Sequence, residues 1–406
     1  MSDECCFINA NIVLEDKVVS GHLLARDGKI AEIGGNGAGL RNGGRGRCRS
    51  FRSCRIEDLE GDYLLPGLVE LHTDNLEKHL EPRSGVLWPS GRSAFVAHDA
   101  QVAAAGITTV FDSISVGQHH DESNRQTMLG LTKGAMEESR KTGRLRAEHR
   151  LHLRCELSDP HLLPLFASMA DEPELSLVSL MDHTPGQRQF INEKAYRAYY
   201  RKHDWSNAEF VRHLERMNLQ REEYSQRHAE EIRIFCRERR LPMASHDDVT
   251  VEHVNEAVRA GMSISEFPTT LEAARHASRS GLVTLMGTPN VLRGGSHSGN
   301  VSALEVAKRR SLGALSSDYV PASLLPGAYI LYRKAGYSLP EAVALVSKKP
   351  AAAVGLFDRG SIAAGKKADL LRVSMPEKYE ERETEAGISM PLPEVRTVWR
   401  DGVRVL

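Results

Sequence analysis

The chain predicts an α/β protein, a (β/α)8 TIM barrel with a small β-sandwich domain built from both termini. Three observations predict it. Short apolar runs alternate with helical stretches from about residue 64 to 317. Further strand-like runs lie at both ends of the chain, outside that alternation. Histidines and carboxylates stand where apolar runs end, beginning with His72 and Asp74. Strands alternating with helices signal a parallel sheet covered by helices, and eight such repeats signal a barrel.

The N-terminal segment reads as short strands. Phe7–Leu14 is apolar, and His22–Ala25 and Ile30–Ile33 flank a turn at Asp27-Gly28. An Asp-Gly pair between apolar runs predicts a hairpin. Residues 35 to 55 are rich in glycine and arginine, with Arg41, Arg45, Arg47, Arg49, Arg52 and Arg55. This stretch reads as a solvated loop, with an anion- or RNA-binding arm as the sharper alternative. The eight barrel runs are Leu64–Leu71, Ile107–Phe111, Arg150–Cys155, Leu175–Met181, Leu241–Ser245, Ser263–Phe267, Leu282–Met286 and Leu315–Ser317. A charged helical excursion from about 190 to 240 reads as a solvated helical hairpin or, alternatively, a lid. Strands return at Ala368–Val373 and Val395–Gly402. The expected division is therefore 1–62 and 357–406 for the small β domain and 63–356 for the barrel. Gly360-Ser361-Ile362-Ala363-Ala364-Gly365-Lys366-Lys367 nearly spells a phosphate-binding loop, but a lysine follows Lys366 where serine or threonine belongs. No buried strand precedes it and no helix is expected after it, so it reads as a turn.

Composition narrows the function classes. The 406 residues carry 53 basic and 54 acidic side chains, a net charge of -1. Such balance offers no general field for nucleic acid, so an anionic ligand must be met by a local cluster. No apolar stretch reaches the length of a membrane span. The start, Met1-Ser2-Asp3-Glu4-Cys5-Cys6, is acidic where a signal peptide is basic, and a cytoplasmic protein is expected. Six cysteines at scattered spacing match no zinc ribbon and no disulfide framework, and are expected as free thiols.

Barrel chemistry sits at the C-terminal ends of the strands. The first run ends in His72 and Asp74, two residues apart and so on one face of a strand. The third ends at Glu156, the fourth at Asp182 and His183, the fifth at His246, Asp247 and Asp248, the sixth at Glu266, and the eighth at Asp318. One histidine at a strand end is ordinarily structural. Imidazoles and carboxylates at most strand ends of one barrel form a donor set for a divalent transition metal: Zn²⁺, Mn²⁺ or Fe²⁺. Two metals bridged by a glutamate would activate water at neutral pH, and a nearby aspartate could take its proton. After the seventh run, Arg293, Ser296, His297 and Ser298 stand in a glycine-rich loop. It suits phosphate oxygens or is a flexible linker. Arg83, after the first run, could also face an anion.

These residues resemble the amidohydrolase superfamily. The split β domain, Pro66-Gly67 leading to His72-Thr73-Asp74, and the late Asp318 carry the likeness. Longer strings resemble one of its families, the diphosphatases of the carbon–phosphorus lyase pathway of phosphonate use. They are Glu70–Leu76, Ala147–Glu156, Ser179–Phe190, Ala244–Asp248, Glu266–Thr270, Arg293–Asn300 and Ser316–Tyr319. The superfamily usually has a second histidine where this chain has Asp74, and many members bridge their metals with a lysine on the fourth strand. Here that strand ends in Leu180-Met181-Asp182-His183, and Glu156 is the natural substitute bridge.

The resemblance implies one metal on His72, Asp74 and Asp318 and a second on His183 and His246, with Glu156 between them. Two metals per chain are implied, zinc first. Asp318 and His246 are the implied catalytic residues, with Asp318 as proton acceptor. Arg293, Ser296, His297, Ser298 and Arg83 are the candidate substrate-binding residues. The implied substrate is a small-molecule sugar triphosphate, α-D-ribose 1-methylphosphonate 5-triphosphate, cleaved at its α-phosphorus to the 5-phosphate and pyrophosphate. The main alternative is hydrolysis of a cyclic amide or amidine. Neither nucleic acid nor membrane is an expected partner. A homodimer and transient contact with other enzymes of the pathway are compatible with the resemblance.

Overall fold

In the computed structural model the described residues are 4–35, 54–117, 124–188, 196–197, 205–296, 299–376, 382–384 and 387–406. The apolar run expected as one strand from Leu64 to Leu71 is two strands in two sheets. Strand β5, Tyr63–Pro66, belongs to a mixed sheet, and β6, Leu68–Thr73, opens the barrel. The break falls at Gly67, whose N–H donates to Asp369 O at 2.8 Å. A Cβ there would lie 2.2 Å from Thr108 Oγ1. Only glycine lets the chain pass so close while it changes sheets.

The mixed sheet joins both ends of the chain. From the N-terminal side come β1 (Glu4–Val13), β2 (Val18–Arg26), β3 (Lys29–Gly35) and β4 (Arg55–Asp58). The C-terminal side adds β14 (Leu370–Ser374), β17 (Glu394–Arg400) and β18 (Val403–Arg404). The order is β18-β17-β14-β5-β1-β2-β3, with β4 on β1. Asp27 and Gly28 both have positive φ, 50° and 76°, as a two-residue hairpin turn demands. β5 and β14 separate β1 from β17, yet the Phe7 and Trp399 rings meet edge-on at 4.9 Å. The sheet therefore folds over onto itself around Phe7, Ile12, Leu23, Leu64, Leu370 and Trp399. The near-phosphate-loop at 360–367 is a series of bends and turns running to β14, with no helix after it.

The barrel continues with β7 (Ile107–Val116), β8 (Glu148–Glu156), β9 (Leu175–Met181), β10 (Met243–His246), β11 (Ile264–Glu266), β12 (Val283–Gly287) and β13 (Ala314–Ser316). Every neighbouring pair from β6 to β13 is parallel. Side chains close the ring between β13 and β6. Ser316 Oγ donates to His72 O and Thr73 Oγ1 to Asp318 O, both at 2.6 Å, and Ser317 N–H donates to a buried Glu70 carboxylate at 2.5 Å. Leu71, Phe111, Leu177, Ala244, Ile264, Leu285 and Ala314 fill the lumen, so the barrel is a packed core and not a pore.

The described part of the excursion is helical. Helix Asn207–Gln220 starts at a Ser206/Glu209 capping box and runs through a π-helical turn, Arg221–Ser225, into helix Gln226–Arg239. The described part is thus one long helix. The residues that would form a preceding arm, and most of the arginine-rich loop at 41–55, lie outside the described residues. No helix among the described residues is long and apolar enough to cross a membrane. The described cysteines, Cys5, Cys6, Cys54, Cys155 and Cys236, are free thiols, and Cys48 lies outside the described residues.

A buried relay pins helix Gly91–Ala104 to the barrel wall. Asn75 Nδ2 donates to His98 Nδ1 at 2.9 Å, and His98 Nε2 donates to Asp112 at 2.7 Å. His149 donates from both ring nitrogens, to Asp112 at 2.8 Å and to Asp99 at 3.2 Å. Double donation requires an imidazolium. Burial opposes that charge, but Asp112 and Asp99 outweigh it and raise His149 to about 9. This raised value lies above the unfolded value near 6.5. Its contribution to stability is full below about pH 6.5 and is lost as pH climbs through about 9. The urea midpoint is therefore expected to drop between pH 7 and 9.5 in the wild-type protein and to drop less in His149→Gln. Parallel curves for the two proteins would remove His149 as the source.

Candidate functional site

The site grows around one carboxylate. Glu266, at the end of β11, is fully buried. Its Oε1 lies 3.1 Å from His72 Nδ1 and its Oε2 lies 3.2 Å from His246 Nδ1. Ser179 Oγ donates to the same Oε2 at 2.6 Å and meets His152 Nε2 at 2.5 Å. Burial opposes the charge on Glu266, but His72, His152 and the hydrogen bonds hold it well below the usual carboxylate range. Burial in turn lowers the pKa of His72 and of His152, the latter to about 3, against the pull of the Glu266 carboxylate. A charged Glu266 orients both rings: Nδ1–H of His72 and of His246 points at Glu266, which turns each Nε2 away from it toward another partner.

His72 reaches this position through an irregularity. Val69 and Leu71 face the lumen, so strict alternation would turn His72 away. The β6–β7 register shifts between Glu70 and Thr73. Glu70 Oε1 accepts the His72 N–H at 2.7 Å and steadies the distortion. The His72 ring then stacks beside His246 with centroids 5.7 Å apart, and Phe267 meets both rings edge-on at 4.8 and 5.5 Å.

A second group adjoins His246. His183 Nδ1 lies 2.6 Å from Glu156 Oε2, and Glu156 Oε1 accepts the His183 N–H at 3.1 Å and the Ser158 hydroxyl at 3.1 Å. His183 Nε2 and His246 Nε2 lie 3.7 and 3.6 Å from Asp247 Oδ2. Burial works against the charge on His183, but Glu156 raises its pKa. Arg221, in the π-helical turn, donates to Asp182 at 2.7 Å, and Arg188 donates to His246 O and Asp248 at 2.7 and 2.8 Å. The helical excursion and the loop after β9 thus clamp the strand ends that carry His183 and His246.

A third group lies across the mouth. Asp318 follows β13 and sits beside Asp74. Burial, then the Asp74 charge, pushes Asp318 up to about 7. Asp74 Oδ1 is buried and has no hydrogen-bond partner. Two interacting carboxylates, one with an orphaned oxygen, fit a divalent cation. His72, His152 and Glu266, and separately His183, His246 and Asp247, each bring their donor atoms within 4.8 Å of one another. A mixed set of imidazoles and carboxylates is the donor chemistry of a divalent transition metal.

Asp247, Phe267 and Asp318 have φ of 54°, 51° and 54°. Each lies just past a barrel strand. Left-handed backbone strains a non-glycine residue, and strain of this kind gathers at functional sites.

His72, Asp74, Glu156, His183, His246 and Asp318 all lie at the mouth. The expected anion ligands among the described residues stand on loops and helix ends around it. Arg83 is exposed on the loop after β6, and Arg293 is exposed at the end of helix Thr288–Arg293. Ser296 is partly buried, and His297 and Ser298 lie outside the described residues. Glu266 and Asp247 were named as strand-end groups but given no role. Their positions beside the histidines depend on pairings of distant strands. Arg154 was missed altogether. It shares its face of β8 with His152 and Glu156, and that alternation was the signal available.

No family model matches the chain. It is 43% identical over 400 residues to α-D-ribose 1-methylphosphonate 5-triphosphate diphosphatase of Escherichia coli, covering 98% of this chain and 99% of that one. Among solved structures, an amidohydrolase superposes with a TM-score of 0.60 at 15% identity, and N-acetylglucosamine-6-phosphate deacetylase from Pasteurella multocida with 0.58 at 13%, each match covering 99% of both chains. Dihydropyrimidinase from Brevibacillus agri follows at 0.55 and 15%, covering 99% of this chain and 95% of that one. At such identities the structures speak for the fold alone, whereas the full-length relative speaks for the family. The chain shares its fold with solved amidohydrolases and belongs to the family of α-D-ribose 1-methylphosphonate 5-triphosphate diphosphatases.

Proposed function

We propose that the protein hydrolyses α-D-ribose 1-methylphosphonate 5-triphosphate in phosphonate catabolism. Water adds to the α-phosphorus, the bond from that phosphorus to the bridging oxygen breaks, and pyrophosphate leaves the 5-phosphate behind. The observation that carries this reading is the 43% identity to the Escherichia coli diphosphatase along essentially the whole of both chains. The strand-end donors support it, because phosphoryl transfer needs cations on its oxygens and a positioned base. In this reading residues 68–356 form the catalytic unit and 1–66 with 357–406 the small β domain, the expected boundary at 62/63 moving to Gly67 because β5 belongs to the mixed sheet. A cytoplasmic location is part of the proposal.

In the same reading His72, Asp74 and Asp318 hold one divalent ion, and His183 and His246 hold a second, with Glu156 between them. Zinc suits this donor set, and manganese or iron also fits it. Such ions supply Lewis acidity to the phosphoryl oxygens and lower the pKa of water. The protein does the rest. Glu266 keeps Nδ1 of His72 and His246 protonated, so both rings present Nε2. Glu156 fixes His183 through its ring and its backbone N–H. Asp318 takes the proton of the attacking water. Its raised pKa belongs to a buried carboxyl near another carboxyl and would revert toward the ordinary range with a cation held by the pair.

Pyrophosphate is expected as the product with the ribose triphosphate, in equal amount to the 5-phosphate. Release of ammonia or ring opening of a cyclic amide, with no pyrophosphate, would overturn the assignment. A chelator is expected to abolish turnover and zinc, manganese or iron to restore it, with two equivalents by elemental analysis. Asp318→Asn is expected to lower kcat about 10²–10⁴-fold. The metal held through His183, His246 and Glu156 should survive, so loss of all metal would make Asp318 structural instead. Glu266→Gln is expected to weaken metal binding about 10–100-fold. Unchanged metal affinity would show that the two histidines need no such anchor.

A further inference from the structure

The barrel mouth carries an uncommitted positive charge. Arg154 lies on β8 between His152 and Glu156, two residues from each, with leucine and cysteine on the alternate positions Leu153 and Cys155 packed outward against helices. Its parity with His152 and Glu156 therefore turns it into the lumen. Its electrostatic neighbours come from around the ring: His72, His152, His183, Glu77 and Asp318 all feel its charge.

Among the described residues, the neighbouring cations Arg125, Arg188, Arg221 and Lys78 are already engaged. Arg125 holds Glu77 at 2.7 Å, Arg188 holds Asp248 at 2.8 Å, and Arg221 holds Asp182 at 2.7 Å. Lys78 donates to Tyr319 O at 2.9 Å and lies over the Tyr319 ring. Arg154 Nε is buried and has no hydrogen-bond partner. Leaving a guanidinium N–H buried and unmade costs free energy, and a charged donor costs more than a neutral one. The carboxylates Glu77 and Glu156 are committed to other donors, Ser115 N–H and Arg125 for the first, His183 and Ser158 for the second. An external anion with several acceptor oxygens would satisfy the group, and phosphate oxygens match a guanidinium fork.

We propose that Arg154 is a substrate-binding residue, the guanidinium that grips the oxygens of the reacting end of a polyphosphate chain inside the barrel. This rests on the phosphate-substrate reading above. It replaces Arg293 and Arg83, both exposed at the rim, as the principal anion ligand. Charge placed there also opposes the negative charge that builds on departing pyrophosphate.

The test is calorimetric titration of the metal-loaded protein and its variants with inorganic pyrophosphate and with tripolyphosphate. Arg154→Gln is expected to weaken both by about 10–100-fold, in line with loss of a charge-assisted fork, with metal content and thermal unfolding unchanged. Arg154→Lys should fall between, because it keeps the charge and loses the fork. Equal affinity in wild type and Arg154→Gln overturns the proposal. A labelling experiment on the unaltered protein covers the case of a variant that fails to fold. Pyrophosphate should protect Arg154 from phenylglyoxal, read by peptide mass spectrometry, and labelling of Arg154 unaffected by pyrophosphate also overturns it. The two readings separate cleanly. Arg154-dependent pyrophosphate binding without turnover of the ribose triphosphate would leave this proposal standing and sink the substrate. Turnover that is indifferent to Arg154 would do the reverse.

Discussion

Glu266 carries a negative charge where no water reaches it, and the barrel mouth is arranged around that charge. The group stays ionised because two imidazole N–H groups and the Ser179 hydroxyl converge on its two oxygens. In return it orients His72 from β6 and His246 from β10, residues separated by most of the barrel's sequence. Without Glu266 either ring could flip or change tautomer at little cost. With it, both rings face their Nε2 atoms to the mouth. His152, one step further along, is held in the same network through Ser179 and the Leu71 carbonyl. The lower layer of the site is therefore a dense hydrogen-bond network, which rigidifies what lies above it.

The upper layer is electrostatically unfinished. Asp318 feels the charge of Asp74, and Asp74 Oδ1 has no donor. Arg154 has no acceptor for its Nε. A folded protein tolerates buried polar groups without partners chiefly where ligands supply them. The unsatisfied acceptor calls for a cation, and the unsatisfied donor calls for an anion. A metal-bound polyphosphate carries both. This complementarity is what separates the site from its fold: many chemistries use the same barrel, and the groups at the strand ends decide among them.

The small β domain contributes through the backbone. β5 belongs to its sheet and β6 to the barrel, with Gly67 as the only residue between them. The strand that delivers His72 and Asp74 is thus anchored at its start by a second sheet. From the outer wall, the Asn75–His98–Asp112–His149 relay fixes the residue after Asp74. Position at the mouth is set from both sides of the first barrel strand.

Much of this was legible in the chain. Alternation of apolar runs and helical stretches marked the barrel, because burial under helices requires that pattern. The Asp27-Gly28 hairpin followed from the φ values that such a turn demands. Donors at strand ends pointed to the mouth, because parallel barrels direct those ends to one side. Other features depended on long-range geometry. One apolar run was two strands, since periodicity carries no mark of a change of sheet. His72 faces the lumen only through a register shift, which periodicity does not mark; alternation told only that His72 and Asp74 share a face. Arg83 and Arg293 stayed at the rim because loop position depends on packing and not on residue type. Glu266 gains its partners from β6 and β10, and the missing partner of Arg154 Nε shows only once the described cations around it are paired. By itself the sequence determined which chemical groups are available and which end of the barrel they occupy, since both follow from local periodicity. Only the tertiary structure decided which of those groups are satisfied, because hydrogen bonds and ion pairs between distant strands form only when the ring closes.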